Sequence, residues 1–156
     1  MMQVRAARPD DAAAMADLYQ RSVRALGPTD YSAEQVQAWA GAGPTAERFE
    51  ALMSDGRRGL VAISDDGRLV GFTDVEADGH IHFLYVAPEA RGRSVADALL
   101  DAVETLAAQT GIIRLHSEAS EAARRFFARR GFVVLHRRDF EVGGVPIHNY
   151  AVEKVV

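Results

Sequence analysis

Apolar residues recur at helical spacing over the first third of the chain. Asp10 or Asp11 can cap a first helix. Ser32, with Gln35 three residues later, forms the capping-box pattern that predicts a second helix. A third helix is predicted over 45–53. The apolar positions that follow a helical period in the first helix are Ala14, Leu18, Val23 and Leu26.

The pattern then changes to short runs rich in Val, Ile, Phe and Leu, at 60–64, 69–76 and 80–87. Asp-Gly pairs separate these runs, and Asp-Gly between two such runs is a strong hairpin signal. The sequence therefore predicts a three-stranded antiparallel meander, preceded near the N-terminus by a short strand at 3–6.

The second half of the chain returns to mixed periodicity. A helical pattern at 95–106 is followed by a short apolar run at 112–116, and another helix is predicted to begin near Ser120. Two runs at 132–135 and 147–152 predict a final pair of strands. This order predicts an α+β fold with a mixed, mostly antiparallel central sheet flanked by helices.

Composition excludes several classes of function. The chain has 156 residues, a formal net charge of −4 and no cysteine. This length predicts one domain over 1–156, and the charge gives no electrostatic case for nucleic acid. Without cysteine there is no disulfide, thiolate zinc site or cysteine nucleophile, and the scattered histidines do not suggest a metal site. No signal peptide or membrane-spanning run is present, so we expect a cytoplasmic protein without a membrane partner.

The most informative segment is 84–100, in which a strand ends, a turn of small residues follows and an amphipathic helix begins. Uncovered N–H groups at a helix N-terminus bind anions such as a diphosphate, and Arg91 and Arg93 add positive charge. The alternative is an ordinary strand–helix connection with two solvated arginines, since glycine-rich turns before helices are common.

The same segment resembles the signature of the GNAT superfamily of N-acetyltransferases, Arg/Gln-x-x-Gly-x-Gly/Ala, and the order of elements is similar over essentially the whole chain. The resemblance implies acetyl-coenzyme A as co-substrate, with backbone amides of the loop on its pyrophosphate and a strand along its pantetheine arm. The residues that it assigns to the cofactor are Arg91, Gly92, Arg93, Ser94, Val95 and Ala96 in the loop and Leu84, Tyr85 and Val86 in the strand.

One position departs from that signature, because Ser94 stands where the family has its first internal glycine. A serine can donate to phosphate, or its side chain can hinder the approach of phosphate to the backbone. This departure motivates an alternative function, a catalytically weak or inactive module that binds acyl-coenzyme A as a sensor or scaffold. A structural domain without any cofactor would require the signature to be accidental.

Two histidines precede the pantetheine strand. Alternate residues of a strand share a face, so His80 and His82 would line the approach to the thioester together with Leu84 and Val86. They resemble the histidine pair of serotonin N-acetyltransferases, which implies a role in removing the proton of the amine. Both can instead be satisfied polar residues on a half-buried strand. His82 is the preferred base, and Glu76 is a lesser candidate.

The group that protonates the leaving thiolate is harder to predict. Phe127 occupies the position at which many members of the family carry a tyrosine acid, and it cannot donate a proton. The resemblance places Ser117 and Ser120 where polar residues often contact pantetheine, so either could donate to the sulfur. Tyr150 on the last strand is a further candidate, and solvent suffices because thiols have pKa values near 8.5.

The acceptor is expected to be an amine of a small molecule or a protein. By the resemblance, Tyr31 and Trp39 would lie over the acceptor end of the cleft, although packing explains Trp39 equally well. The last strands are rich in valine, and such edges often pair between protomers, which favours a homodimer.

Overall fold

The computed structural model describes residues 2–92 and 94–156. The strands in this part of the chain are β1 (Gln3–Ala6), β2 (Arg58–Ile63), β3 (Leu69–Val75), β4 (His80–Ile81), β5 (Leu84–Val86), β6 (Arg114–Ala119), β7 (Val133–Val142) and β8 (Val145–Val155). The helices are α1 (Ala12–Leu26), α2 (Ala33–Gly41), α3 (Ala46–Leu52), α4 (Val95–Thr110) and α5 (Glu121–Arg129).

Helix starts follow local capping chemistry. Ser32 Oγ accepts from the Gln35 amide, and Gln35 Oε1 accepts from the Ser32 amide, so the predicted capping box at the start of α2 is confirmed. Thr45 Oγ1 accepts from the Arg48 amide at the start of α3. Ser120 Oγ accepts from the Ala123 amide at the start of α5. These caps satisfy amides that a helix cannot pair internally.

The strands form two four-stranded sheets, ordered β1-β2-β3-β5 and β4-β6-β8-β7. The pairings are antiparallel except that between β4 and β6. The predicted α+β class with a mostly antiparallel sheet is therefore confirmed. Because β4 and β5 follow each other in the chain but belong to different sheets, the two sheets diverge at the short link between them.

That link corrects one prediction, since the single strand expected at 80–87 is broken at His82 and Phe83. Asp74 Oδ1 accepts from the backbone N–H groups of both residues, at 2.8 and 3.1 Å. Thr73 Oγ1 donates to the Phe83 carbonyl at 2.7 Å. Side chains of β3 thus satisfy the backbone that a continuous strand would have paired, and the chain can change sheets.

The helix that follows the loop packs closely on the first sheet. Glycine at position 71 of β3 makes this possible, because a Cβ there would lie 2.7 Å from Val95 Cγ1 and 3.0 Å from Leu99 Cδ1. Leu99 and Val103 are fully buried against the core, as is Phe72 on β3. This packing fixes the N-terminal end of α4 beside the end of β5.

The final hairpin is longer than predicted. The strands expected at 132–135 and 147–152 extend to Val133–Val142 and Val145–Val155. The turn between them uses Gly143 and Gly144, whose φ angles of 54° and 81° suit glycine. The polar residues that flank the predicted runs therefore belong to the strands, and several of them face a cavity.

Candidate active site

Two cavities, of about 300 and 360 Å³, open on the gap where the sheets diverge. The loop cavity is lined by Arg91, Gly92, Ser94 and the start of α4, by β5 and by α5. The hairpin cavity lies between 82–85 and the β7–β8 hairpin. The two share part of their walls and therefore adjoin each other. The residues that line both are Tyr31, Trp39, Leu84, Tyr85, Ser120 and Ala123.

The loop cavity offers positive charge and free backbone groups. Arg91 and Arg129 line it, and neither forms an ion pair within the described part of the chain. Its two acidic residues are already paired, Asp30 with Arg125 and Asp97 with Arg130. Because β5 is an edge strand, one side of its backbone also remains without a strand partner. This cavity suits a long ligand with phosphates.

Most residues predicted to bind the cofactor line this cavity. They are Leu84, Tyr85, Val86, Arg91, Gly92, Ser94, Val95, Ala96 and Ser120. Arg93 lies outside the described residues. Phe127 lines the hairpin cavity instead, with 1% of its surface exposed and its ring 4.6 Å from that of Phe132.

Ser94 has a left-handed backbone, with φ 61° and ψ 24°. It is the one described non-glycine residue with positive φ, and its side chain makes no capping hydrogen bond to α4. The signature glycine is therefore replaced at a position whose backbone conformation favours glycine.

His80 lies outside both cavities. Its ring nitrogens contact two carboxylates, Glu118 Oε1 and Glu76 Oε1, each at 2.8 Å. The hydrogen bond to Glu118 and the further one to Glu76 outweigh burial and raise the pKa of His80 to about 9. At neutral pH the ring is therefore protonated and has no lone pair to accept a proton. The rings of His80 and His82 do lie side by side, with centroids 5.8 Å apart, but of the two only His82 lines a cavity.

His82 lines the hairpin cavity, but its hydrogen bonding does not suit a base. Its Nδ1 lies 3.0 Å from Arg57 Nη1, and a guanidinium can only donate. Nδ1 therefore accepts, and the proton of the neutral ring is on Nε2. Burial chiefly lowers the pKa of His82; the charge of Asp74 opposes this shift and that of Arg57 adds to it. In this arrangement His82 presents an N–H donor and no free lone pair.

Ser117 and Tyr150, the other predicted catalytic residues, are engaged elsewhere. Ser117 is buried in the wall of the hairpin cavity and donates to the Ile81 carbonyl at 2.6 Å. Tyr150 lines neither cavity, and its hydroxyl donates to Glu121 Oε2 at 2.9 Å. This bond, first among the causes, raises the pKa of Tyr150. Neither hydroxyl is directed at the wall that the cavities share.

A histidine–carboxylate pair that the sequence did not reveal lies beside the shared wall. His148 lines the hairpin cavity, and its Nε2 is 2.6 Å from Glu121 Oε2. Burial tends to raise the pKa of Glu121, but hydrogen bonds from Arg124, His148 and Tyr150 outweigh it and lower the pKa to about 2. The ionised carboxylate accepts a hydrogen bond from Nε2–H, so Nδ1 is the nitrogen of this ring that can carry a lone pair.

Tyr31 fixes the position of this pair. Its hydroxyl donates to the His148 carbonyl at 3.0 Å and accepts from the Glu121 amide at 3.1 Å. The rings of Tyr31 and His148 are 5.3 Å apart. One side chain from the loop before α2 thus joins β8 to the start of α5. No local sequence signal could have shown this, since the three residues are far apart in the chain.

Comparison with known proteins identifies the family. The model of the GNAT acetyltransferase domain matches residues 28–154. The chain belongs to the GNAT acetyltransferase family. A solved GCN5-related N-acetyltransferase from Rhodopseudomonas palustris is 37% identical, with a TM-score of 0.90 and coverage of 99% of this chain and 95% of that one. The protein is an N-acetyltransferase.

Other relatives agree in fold and family. An uncharacterized N-acetyltransferase of Mycobacterium tuberculosis is 27% identical over 91% of this chain and 96% of its own length. The PaiA N-acetyltransferase of Thermoplasma acidophilum, solved in complex with coenzyme A, has a TM-score of 0.81 at 18% identity and covers 100% of this chain and 99% of that one. In the N-acetyltransferase, no helix within 2–92 and 94–156 is long and apolar enough to cross a membrane.

Proposed function

We propose that this N-acetyltransferase binds acetyl-coenzyme A in the loop cavity and transfers the acetyl group directly to an amine in the hairpin cavity. The observation that carries the proposal is the junction of the two cavities at the edge strand β5. The unpaired Arg91 and Arg129 and the amides that open α4 support phosphate binding. Solved relatives with coenzyme A and with acetyl-coenzyme A support the same donor.

For the proton of the amine, we propose His148 as the base. Glu121 holds its Nε2–H, and no described residue forms a hydrogen bond with Nδ1. A base oriented in this way contributes about 10²- to 10⁴-fold to such a reaction. His82 then serves as an N–H donor to the acceptor or to the thioester carbonyl. This assignment replaces the sequence-based choice of His82 as the base.

The departing thiolate needs little help. Phe127 offers no proton, and the hydroxyls of Ser117 and Tyr150 are occupied by Ile81 and Glu121. A thiol has a pKa near 8.5, so water can protonate the sulfur. Ser120 lines both cavities and could assist, although its Oγ already accepts from the Ala123 amide.

The proposal also covers organisation and location. We take residues 1–156 as one catalytic domain, and because acetyl-coenzyme A is a cytoplasmic metabolite, the enzyme would act there. Val133, Val134 and Leu135 are 58%, 44% and 47% exposed on the edge strand β7. Such an edge favours pairing between protomers, and light scattering after gel filtration would detect the homodimer.

The first experiment is calorimetric titration with acetyl-coenzyme A, free coenzyme A and ADP. Micromolar binding is expected, with Arg91→Ala and Arg129→Ala each weakening it by about tenfold. Arg58→Ala is the matched control, because Arg58 is exposed on β2 and lines neither cavity. If the folded protein binds none of these ligands, the proposal is wrong.

The second experiment separates transfer from simple binding. Free thiol released from acetyl-coenzyme A in the presence of amines measures turnover, and a chain without cysteine adds no thiol of its own. His148→Gln should lower kcat by at least about 100-fold and leave acetyl-coenzyme A affinity unchanged. His136→Gln on exposed β7 is the control. Binding without amine-dependent release would favour the sensor or scaffold alternative.

A further inference from the structure

The wall of the hairpin cavity contains a cation without a counter-ion. Arg138 on β7 is half-buried and lies opposite Asn149 on β8. Its Nη1 donates to Asn149 Oδ1 at 2.9 Å, and both residues line the cavity. Within 2–92 and 94–156, no carboxylate forms an ion pair with it. One of its five N–H groups is used, so the others remain for a ligand.

The other charged residues near this cavity have closer partners than Arg138. Glu118 lines the same cavity, but His80 Nε2 lies 2.8 Å from its Oε1, and the pKa of His80 is raised to about 9 chiefly by that contact. The protonated His80 also contacts Glu76, so it offsets the Glu118 charge only in part, and the charge of Arg138 contributes to lowering the pKa of Glu118. The neighbouring Arg137 does not line the cavity, and it pairs with Asp139. Among the described residues, Arg138 thus has no carboxylate at ion-pairing distance.

The guanidinium is held in a fixed orientation. Its Cζ lies 5.3 Å from the centroid of the Phe140 ring, and the Asn149 amide binds one of its edges. A planar guanidinium held in this way presents paired N–H groups that match a carboxylate. A flexible surface arginine would lose more rotamer entropy on forming the same contact.

One part of the wall is apolar. Phe83, Phe140, Val142 and Ile147 line the cavity around Arg138. A purely polar acceptor would leave this surface without a partner, whereas an apolar group would bury it. The ligand that fits has a negative charge for Arg138 and an apolar group for these side chains.

We propose that the acceptor is a small amino acid-like molecule with a primary amine, a carboxylate bound by Arg138 and an apolar side chain. This inference rests on the proposed function, in which the acceptor occupies the hairpin cavity. The amine nitrogen attacks the thioester carbonyl carbon, the C–N bond forms and the C–S bond breaks. The amine loses one proton, and the thiolate gains one. A polyamine is disfavoured because a second ammonium group would face Arg138.

The test compares two product analogues that differ only in the carboxylate, N-acetyl-L-phenylalanine and N-acetylphenethylamine. Each is titrated into the coenzyme A-loaded protein, so the readout does not depend on turnover. The carboxylate analogue should bind about 10- to 100-fold more tightly, which is the range of a charged hydrogen-bonded pair. Arg138→Gln should abolish this preference, and Arg138→Lys should restore only part of it.

Arg137→Gln is the matched control, because it removes the same charge from the adjacent residue, which lies outside the cavity. It should keep the full preference. Equal affinity for the two analogues, no binding of either, or an unchanged preference in a folded Arg138→Gln variant would each overturn the proposal. Failure of the proposed function appears separately, as absent binding of acetyl-coenzyme A in the first titration.

Discussion

Replacing Ser94 by glycine should stabilise the protein. Ser94 has φ 61°, and this left-handed conformation costs a non-glycine residue roughly 1–2 kcal/mol. Its side chain is exposed and makes no cap bond, so little is lost with it. Glycine also gives the unfolded chain more conformational entropy, which opposes this gain by about 0.5–1 kcal/mol. The net gain is about 0.5–1 kcal/mol, or a rise in Tm of about 1–4 °C for a chain of this length.

Ser94→Ala provides the matched comparison, because alanine keeps the strain and removes the hydroxyl. Both variants are measured by thermal and urea unfolding without ligand, and then by titration with coenzyme A. We expect Ser94→Ala to stay within about 0.5 kcal/mol of the wild type. If the Ser94 hydroxyl donates to phosphate, both variants lose affinity alike. A lower Tm for Ser94→Gly, or an equal gain for Ser94→Ala, would refute the strain argument.

Three further changes test the frame of the site. The raised pKa of His80 gives a stabilisation that is complete below pH 6.5 and lost as pH rises through about 9. His80→Gln should therefore remove about 1–2 kcal/mol of pH-dependent stability in urea unfolding between these limits, after allowance for solvent screening. Asp74→Ala should cost about 3 kcal/mol or more in the same assay, because it leaves the amides of His82 and Phe83 without their acceptor and removes one of the two carboxylates that hydrogen-bond Arg57, the other being Asp55. Gly79→Ala should lower Tm strongly in calorimetry, since φ is 91° and a Cβ would lie 1.9 Å from the Arg114 carbonyl oxygen. If any of these variants is as stable as the wild type, the physical reason given for that variant is wrong.

Elements that depend on neighbours in sequence could be predicted. The capping box of Ser32 and Gln35 acts over three residues, and Gly111, with φ 76°, ends α4 in the left-handed conformation that glycine favours. The break between β4 and β5 could not be predicted in the same way. It depends on the Asp74 side chain reaching amides eight and nine residues away, and periodicity carries no information about such a contact.

In the candidate site too, contiguous segments could be predicted and contacts between distant residues could not. The loop that includes Arg91 and Ser94 is a contiguous segment, so its pattern could be recognised and its position beside β5 anticipated. The pair of His148 and Glu121 is separated by 27 residues, and its geometry arises only when β8 packs on α5. His80 differs from the expected base because its partners, four and 38 residues away, make it a protonated ion-pair partner.

The β7–β8 hairpin contributes to only one of the two cavities. It carries Arg138, Phe140, Ile147 and Asn149 of the hairpin cavity, whereas none of residues 133–155 lines the loop cavity. Mutations in this hairpin can therefore accumulate without changing the residues that line the loop cavity. In evolution, gene copies can diverge in acceptor preference while sharing one cofactor. In engineering, the hairpin is a modular unit for grafting, and Tyr31, which binds the His148 carbonyl, marks the contact that a graft must preserve.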